Sequence, residues 1–232
     1  VNAHNPIICA IDTPSIDGAK KLITQVAPHV GAVKLGLEFF VANGSEGVKR
    51  AMDGSDVPLF LDLKFHDIPN TVAKAIASTA DINCFLLTIH TNGGTEMMKR
   101  AADAAATLAN PPKILGVTVL TSMDADDLSD IGCKHDTREQ VVNLASLAQA
   151  SGLDGVVCSP LEVSFIRAAC GKDFTLVVPG IRPTVSNADD QKRTMPPREA
   201  IELGANHLVI GRPITGADYP DLAAAKILES LK

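Results

Sequence analysis

Short apolar runs recur along the chain, each followed by a longer stretch whose apolar residues return every three or four positions. Residues 7–11 form the first run, and a helical pattern follows from about 14 to 26. Residues 32–35 come next, with a helical stretch to about 52. Residues 59–63 precede a helix opening near Pro69, where proline suits a first helical position. Residues 85–89 precede an alanine-rich helix ending near 109, and 114–120 is a near-continuous apolar strand. After a polar loop, a helix is expected over about 137–150. Runs at 155–158, 175–178 and 207–210 complete the set, each with a helical pattern behind it.

Eight strand–helix units in this length average about 29 residues, close to a minimal βα repeat. Apolar strands without clean alternation belong to parallel sheets covered on both faces. The pattern therefore predicts an α/β fold, a single (β/α)8 TIM barrel. A doubly wound open sheet is the alternative, but it needs fewer strands, and no G-x-G-x-x-G follows the first run. No linker, low-complexity tract or composition shift marks a boundary, so residues 1–232 are expected to form one domain.

Composition narrows the function classes. Apolar residues make up 46% and charged residues 21%, which excludes a disordered or collagen-like chain. Aromatics are 3% and Trp is absent, so base stacking is no basis for function. The formal charge of −6 argues against nucleic-acid and anionic-membrane partners. No run is long enough to span a bilayer, and the start of the chain has no basic segment followed by an apolar core. The five cysteines are scattered without a C-x-x-C pair, which suits buried free thiols in a reducing compartment and predicts a cytoplasmic protein.

A barrel of this kind carries its chemistry at the carboxyl ends of the strands. Those ends supply Asp12, Lys34, Asp62 with Lys64, Thr121 with Ser122, Arg182 and Arg212. Each has a plainer explanation taken singly. Asp12 or Thr13 could cap the following helix, Lys34 could reach along a strand end toward solvent, and Thr121 and Ser122 could open a loop. Both arginines precede proline and could be solvated loop charges. Asp62 and Lys64 are two apart on a strand, so they face the interior together. A buried lysine beside carboxylates holds its proton firmly, because opposite charge offsets its desolvation. A structural ion pair, with Asp67 as a helix cap, is the competing account. His66 reads as a bystander between better candidates.

The segment Asp62-x-Lys64-x-x-Asp67-Ile68-Pro69-x-Thr71 resembles the signature of the orotidine 5′-phosphate decarboxylase family. The resemblance runs the length of the chain. It includes Asp12, Lys34-Leu35-Gly36, Leu120-Thr121-Ser122 and Pro179-Gly180-Ile181-Arg182-Pro183. It continues through Asp190-Gln191-Lys192-Arg193 and Ile210-Gly211-Arg212-Pro213, and the last three segments, from Pro179 on, are similar to the common bacterial branch.

The resemblance implies conversion of orotidine 5′-monophosphate to uridine 5′-monophosphate and carbon dioxide, the last step of de novo pyrimidine synthesis, without metal or organic cofactor. It implies Lys64 as proton donor to C6 and Asp62 against the leaving carboxylate. Lys34 would complete an alternating Lys–Asp array and, with Asp12 and Asp67, contact the ribose hydroxyls. Asp67 and Thr71 would come from the neighbouring subunit of a homodimer. Ser122 would bond the pyrimidine, with Thr121 beside it. Gln191, Arg212 and the Gly211 backbone would hold the phosphate, with Arg182 and Pro179 nearby. The loop from 179 to about 194 is long and polar, with Gly180 near its start, a composition that suits a lid.

Two alternatives share parts of the pattern. Related sugar-phosphate barrels carry Asp-x-Lys-x-x-Asp but use magnesium and typically place a glutamate where Lys34 stands. A catalytically silent nucleotide-binding barrel would not need Asp62, Lys64 and Asp67 together.

Overall fold

The computed structural model describes residues 5–183 and 194–232. Eight parallel strands close into a barrel in sequence order, with the last strand paired to the first. The first half holds β1 (Ile7–Ile11), α1 (Ile16–Val26), β2 (Ala32–Gly36), α2 (Leu37–Met52), β3 (Leu59–Phe65), α3 (Pro69–Ala77), β4 (Leu86–His90) and α4 (Gly94–Ala106). The second half holds β5 (Lys113–Val117), α5 (Ala125–Asp130), α6 (Thr137–Ala150), β6 (Gly155–Val157), α7 (Val163–Cys170) and β7 (Thr175–Val178). It ends with α8 (Pro197–Glu202), β8 (His207–Ile210), α9 (Arg212–Thr215) and α10 (Pro220–Glu229).

The near-continuous apolar runs have a direct physical reason. Successive strand residues point to opposite faces, and here both faces are buried. One set, including Cys9, Val33, Leu61, Leu87, Leu176 and Ile210, packs outward against the helices. The other set, Ile8, Ala10, Ala32, Phe60, Leu86, Leu115, Val177 and Val209, fills the barrel interior. Continuing that inward alternation toward the carboxyl ends changes the chemistry from apolar to charged. Lys34 follows Ala32, and Asp62 follows Phe60.

Several element boundaries differ from the sequence expectation. β5 ends at Val117 rather than reaching Leu120, because its neighbour β6 is only three residues long and pairs no further than Val117↔Val157. Beyond it, Thr118 turns its hydroxyl to the Val157 carbonyl (3.2 Å), and a turn closes between Leu120 and Met123. α1 begins at Ile16, since Ser15 is its N-cap and its Oγ accepts from the Gly18 N–H at 3.1 Å. The polar loop after β5 contains an additional short helix, α5, opened by a reciprocal cap between Asp124 and Asp127.

β3 runs two residues longer than expected, to Phe65, and its pairing with β4 slips between Leu61 and Phe65. Lys64 sits in that slip with φ +51°, one of two non-glycine residues at positive φ among those described. Holding such a residue in the left-handed region costs of order 1 kcal/mol, and strain of this kind gathers at functional sites. The bulge keeps Asp62 and Lys64 on the same wall.

Candidate active site

A cavity of about 510 Å³ opens at the carboxyl end of the barrel. Its floor is apolar, formed by Phe60, Val117, Val157 and Val209. Its charged wall comes from three adjacent strand ends: Asp12 after β1, Lys34 on β2, and Asp62 with Lys64 on β3. Thr121, Pro179, Arg182, Gly211 and Arg212 line the remainder.

Asp62 is the hub of the charged wall. Its Oδ1 lies 2.8 Å from the Lys64 ammonium and its Oδ2 lies 3.5 Å from that of Lys34. Lys34 reaches onward to Asp12 Oδ1 at 3.7 Å. The side chains of Lys34 and Asp62 are 13% and 12% exposed, so their charges interact with little solvent between them. Burial by itself would push the Asp62 carboxyl up. The ammoniums of Lys34 and Lys64, together with hydrogen bonds from Lys64 and Thr88, outweigh that and hold it below the ordinary carboxylate value. Gly36 leaves room for this cluster: a Cβ there would stand 3.2 Å from the Lys34 ammonium.

The plainer account of Asp12 fails, because Ser15 caps α1 and Asp12 faces Lys34. The same holds for Asp67, whose carboxylate accepts from the Ile68 N–H at 2.6 Å, whereas the N-cap position of α3 is Ile68. Arg182 is buried, 8% exposed, with Nη1 donating to the Ile181 carbonyl at 3.0 Å; it is no solvated loop charge. Arg212 begins α9 directly after β8.

Three sequence-chosen residues are not on the cavity wall. Ser122 is exposed just beyond Thr121, and Asp67 and Thr71 are exposed on the connection from β3 into α3. Gln191 and the central part of the 179–194 loop lie outside the described residues. His66 rests against His90 with ring centroids 5.5 Å apart.

Thr88 was missed. It is fully buried on β4, where its hydroxyl donates to Asp62 Oδ1 (2.9 Å) and accepts from the Lys64 backbone N–H (2.9 Å). The available signal was its place in an apolar strand at the same parity as Leu86 and His90, the inward face.

The family model for the orotidine 5′-phosphate decarboxylase / HUMPS family matches residues 5–227. The chain belongs to that family. Its description joins two names, so individual relatives are informative. The chain is 50% identical over 229 residues to the orotidine 5′-phosphate decarboxylase of Rhodospirillum rubrum, covering 97% of this chain and 93% of that one. It is 48% identical over 227 residues to the enzyme of the same name from the Wolbachia of Culex pipiens, covering 98% and 99%. Among solved structures, the orotidine 5′-phosphate decarboxylase of Lactobacillus acidophilus superposes with a TM-score of 0.87 at 38% identity, covering 98% of this chain and 99% of that one. The decarboxylase-family signature and the charged wall thus fall on the same residues of β3. Among the described residues, no group of three or more His, Cys, Asp or Glu side chains could hold a metal ion.

Proposed function

We propose that this chain decarboxylates orotidine 5′-monophosphate to uridine 5′-monophosphate, as its relatives' names describe. The observation that carries the proposal is the Lys34–Asp62–Lys64 cluster on the wall of a cavity with an apolar floor. Loss of the carboxylate leaves a carbanion at C6 that no adjacent group delocalises well. A fixed ammonium beside that carbon stabilises the developing charge and then supplies the proton. Lys64 is that donor, because it is the more exposed of the two lysines and is aimed by Asp62. Asp62 stays ionised against the leaving carboxylate and holds Lys64 in place. Preformed charges cost no rearrangement during the reaction.

Among the described residues, the positive charges of this wall come from Lys34 and Lys64, and both of its carboxylates, Asp12 and Asp62, already face an ammonium. That pairing supports a reaction without a metal or organic cofactor. Lys34 and Asp12 take the ribose hydroxyls, and Thr121 and Ser122 the pyrimidine edge. Arg212, the Gly211 backbone and Arg182 take the phosphate, a placement after strands seven and eight that barrels of this class commonly use. Gln191 joins them on the strength of its motif.

Asp67 and Thr71 reach the site of a second copy in a homodimer. Their exposure, and that of the neighbouring Ile68 at 68%, supports this, since an apolar side chain in that position is left for a partner to cover. The barrel's closure of β1 onto β8 supports a single domain over 1–232. No helix among the described residues is long and apolar enough to cross a membrane. Free thiols at Cys9, Cys84, Cys158 and Cys170, packed in the core, support a cytoplasmic setting.

The test is Lys64→Ala. It should lose nearly all turnover while still binding uridine 5′-monophosphate. Near wild-type turnover would remove Lys64 from the proton-donor role.

A further inference from the structure

Lys64 is held at both of its ends by one small circuit. Its ammonium donates to Asp62 Oδ1 at 2.8 Å, and its backbone N–H donates to Thr88 Oγ1 at 2.9 Å. Thr88 Oγ1 in turn donates to Asp62 Oδ1 at 2.9 Å. A hydroxyl carries a single proton. Since Thr88 accepts from the Lys64 N–H, its proton is free to go to Asp62, and the carboxylate oxygen that receives it is the one facing the Lys64 ammonium.

The circuit answers a structural need. Lys64 lies in the slip of the β3–β4 pairing at φ +51°, so its N–H has left the ladder. A buried N–H without a partner costs a hydrogen bond's worth of desolvation, and Thr88 supplies the partner from the neighbouring strand. We propose that Thr88 is a positioning residue, whose hydroxyl locks the Asp62 carboxylate and the strained Lys64 backbone together and so aims the Lys64 ammonium into the cavity. The inference rests on Lys64 being the proton donor.

The charged groups around Asp62 are Lys34 from β2 and Lys64 from its own strand, with Asp12 beyond Lys34. From β4 it faces Thr88 and, further out, His90. The Thr88 hydrogen bond is among the interactions that keep Asp62 ionised. Removing it weakens that hold, so the carboxyl should take its proton at higher pH.

The experiment compares Thr88→Val, Thr88→Ala and Thr88→Ser, with Lys64→Ala as the reference for loss of the donor. Thr88→Val keeps the shape without the hydroxyl, Thr88→Ala covers the case in which valine disturbs folding, and Thr88→Ser restores the hydroxyl. The hydroxyl-free variants should lose about 10- to 100-fold in kcat. Their affinity for uridine 5′-monophosphate should stay within a few-fold, and the acid limb of kcat/KM should move to higher pH. Thr88→Ser should recover most of the rate and the original limb. Equal kcat and equal acid limbs across the three variants would overturn the inference. So would a serine variant as impaired as valine and alanine, which would assign the effect to packing of the methyl group. Near wild-type turnover of Lys64→Ala would instead overturn the proton-donor reading beneath it, a result that no Thr88 variant can produce.

Discussion

The ammonium of Lys64 lies 2.8 Å from the carboxylate of Asp62, two residues earlier on the same strand and facing the same cavity. Asp62 serves two lysines at once, with Lys34 at 3.5 Å on its other oxygen. Asp62→Asn keeps the shape and removes the charge both ammoniums depend on. Its kcat should fall by about 10²-fold or more, the scale of losing a preorganised electrostatic group. Steady-state kinetics check this, and a rate within a few-fold of wild type would show that the charge is dispensable.

Arg212 begins α9 at the mouth of the cavity, directly after β8, the strand that pairs with β1 and so stands beside Asp12. Its guanidinium can make two charge-assisted bonds to a phosphate, each worth roughly 1.5–3 kcal/mol. Arg212→Ala should therefore raise KM for orotidine 5′-monophosphate by about 150-fold or more. The phosphate-free nucleoside orotidine should be processed equally, if slowly, by both proteins. An equal loss with orotidine would assign Arg212 to something other than the phosphate.

The exposure of Asp67 and Thr71 leads to a mixing experiment. Asp67→Ala and Lys64→Ala chains, each inactive alone, should regain activity when subunits exchange, because a hybrid dimer contains one site with both residues intact. Absence of rescue despite demonstrated exchange would place both residues in a site built by one chain.

At the opposite end of the barrel, His207 starts β8 with its ring edge-on to Phe85. Burial, followed by the nearby Lys113, pushes its pKa down from the ordinary 6.5 to about 4. Between those values the unfolded chain binds the proton and the folded chain does not. Stability is thus unaffected by this group above pH 6.5 and falls as pH drops toward 4, by about 3 kcal/mol in all. His207→Gln should flatten that part of the curve relative to wild type in urea denaturation. Parallel curves for the two proteins would contradict it.

The sequence revealed most of this architecture because the barrel buries both faces of each strand. An inward and an outward apolar set then merge into short unbroken runs, which are easy to see between amphipathic helices. The charged wall was legible as well, since Asp62 and Lys64 differ in kind from the apolar residues before them on the same strand. Less visible was anything that depends on a neighbouring strand. The end of β5 is set by the shortness of β6, and the extension of β3 by a bulge whose partner is Thr88. Thr88 looked like an ordinary β-branched strand residue, because its importance lies in a hydrogen bond to a residue 24 positions earlier.

The net charge of −6 gave little guidance about an anionic substrate, and the cavity shows why. Among the described residues, Lys34, Lys64, Arg182 and Arg212 line one cavity, with Asp12 and Asp62 as the acidic groups on its wall. Local charge, not the whole-chain sum, decides what enters.

Decarboxylation of orotidine 5′-monophosphate by the side chains of this chain alone is open to a single assay. The absorbance of orotidine 5′-monophosphate is followed with purified protein, in the presence and absence of a chelator. The same rapid conversion to uridine 5′-monophosphate is expected in both. No conversion, or conversion only after a divalent metal is added, would contradict it.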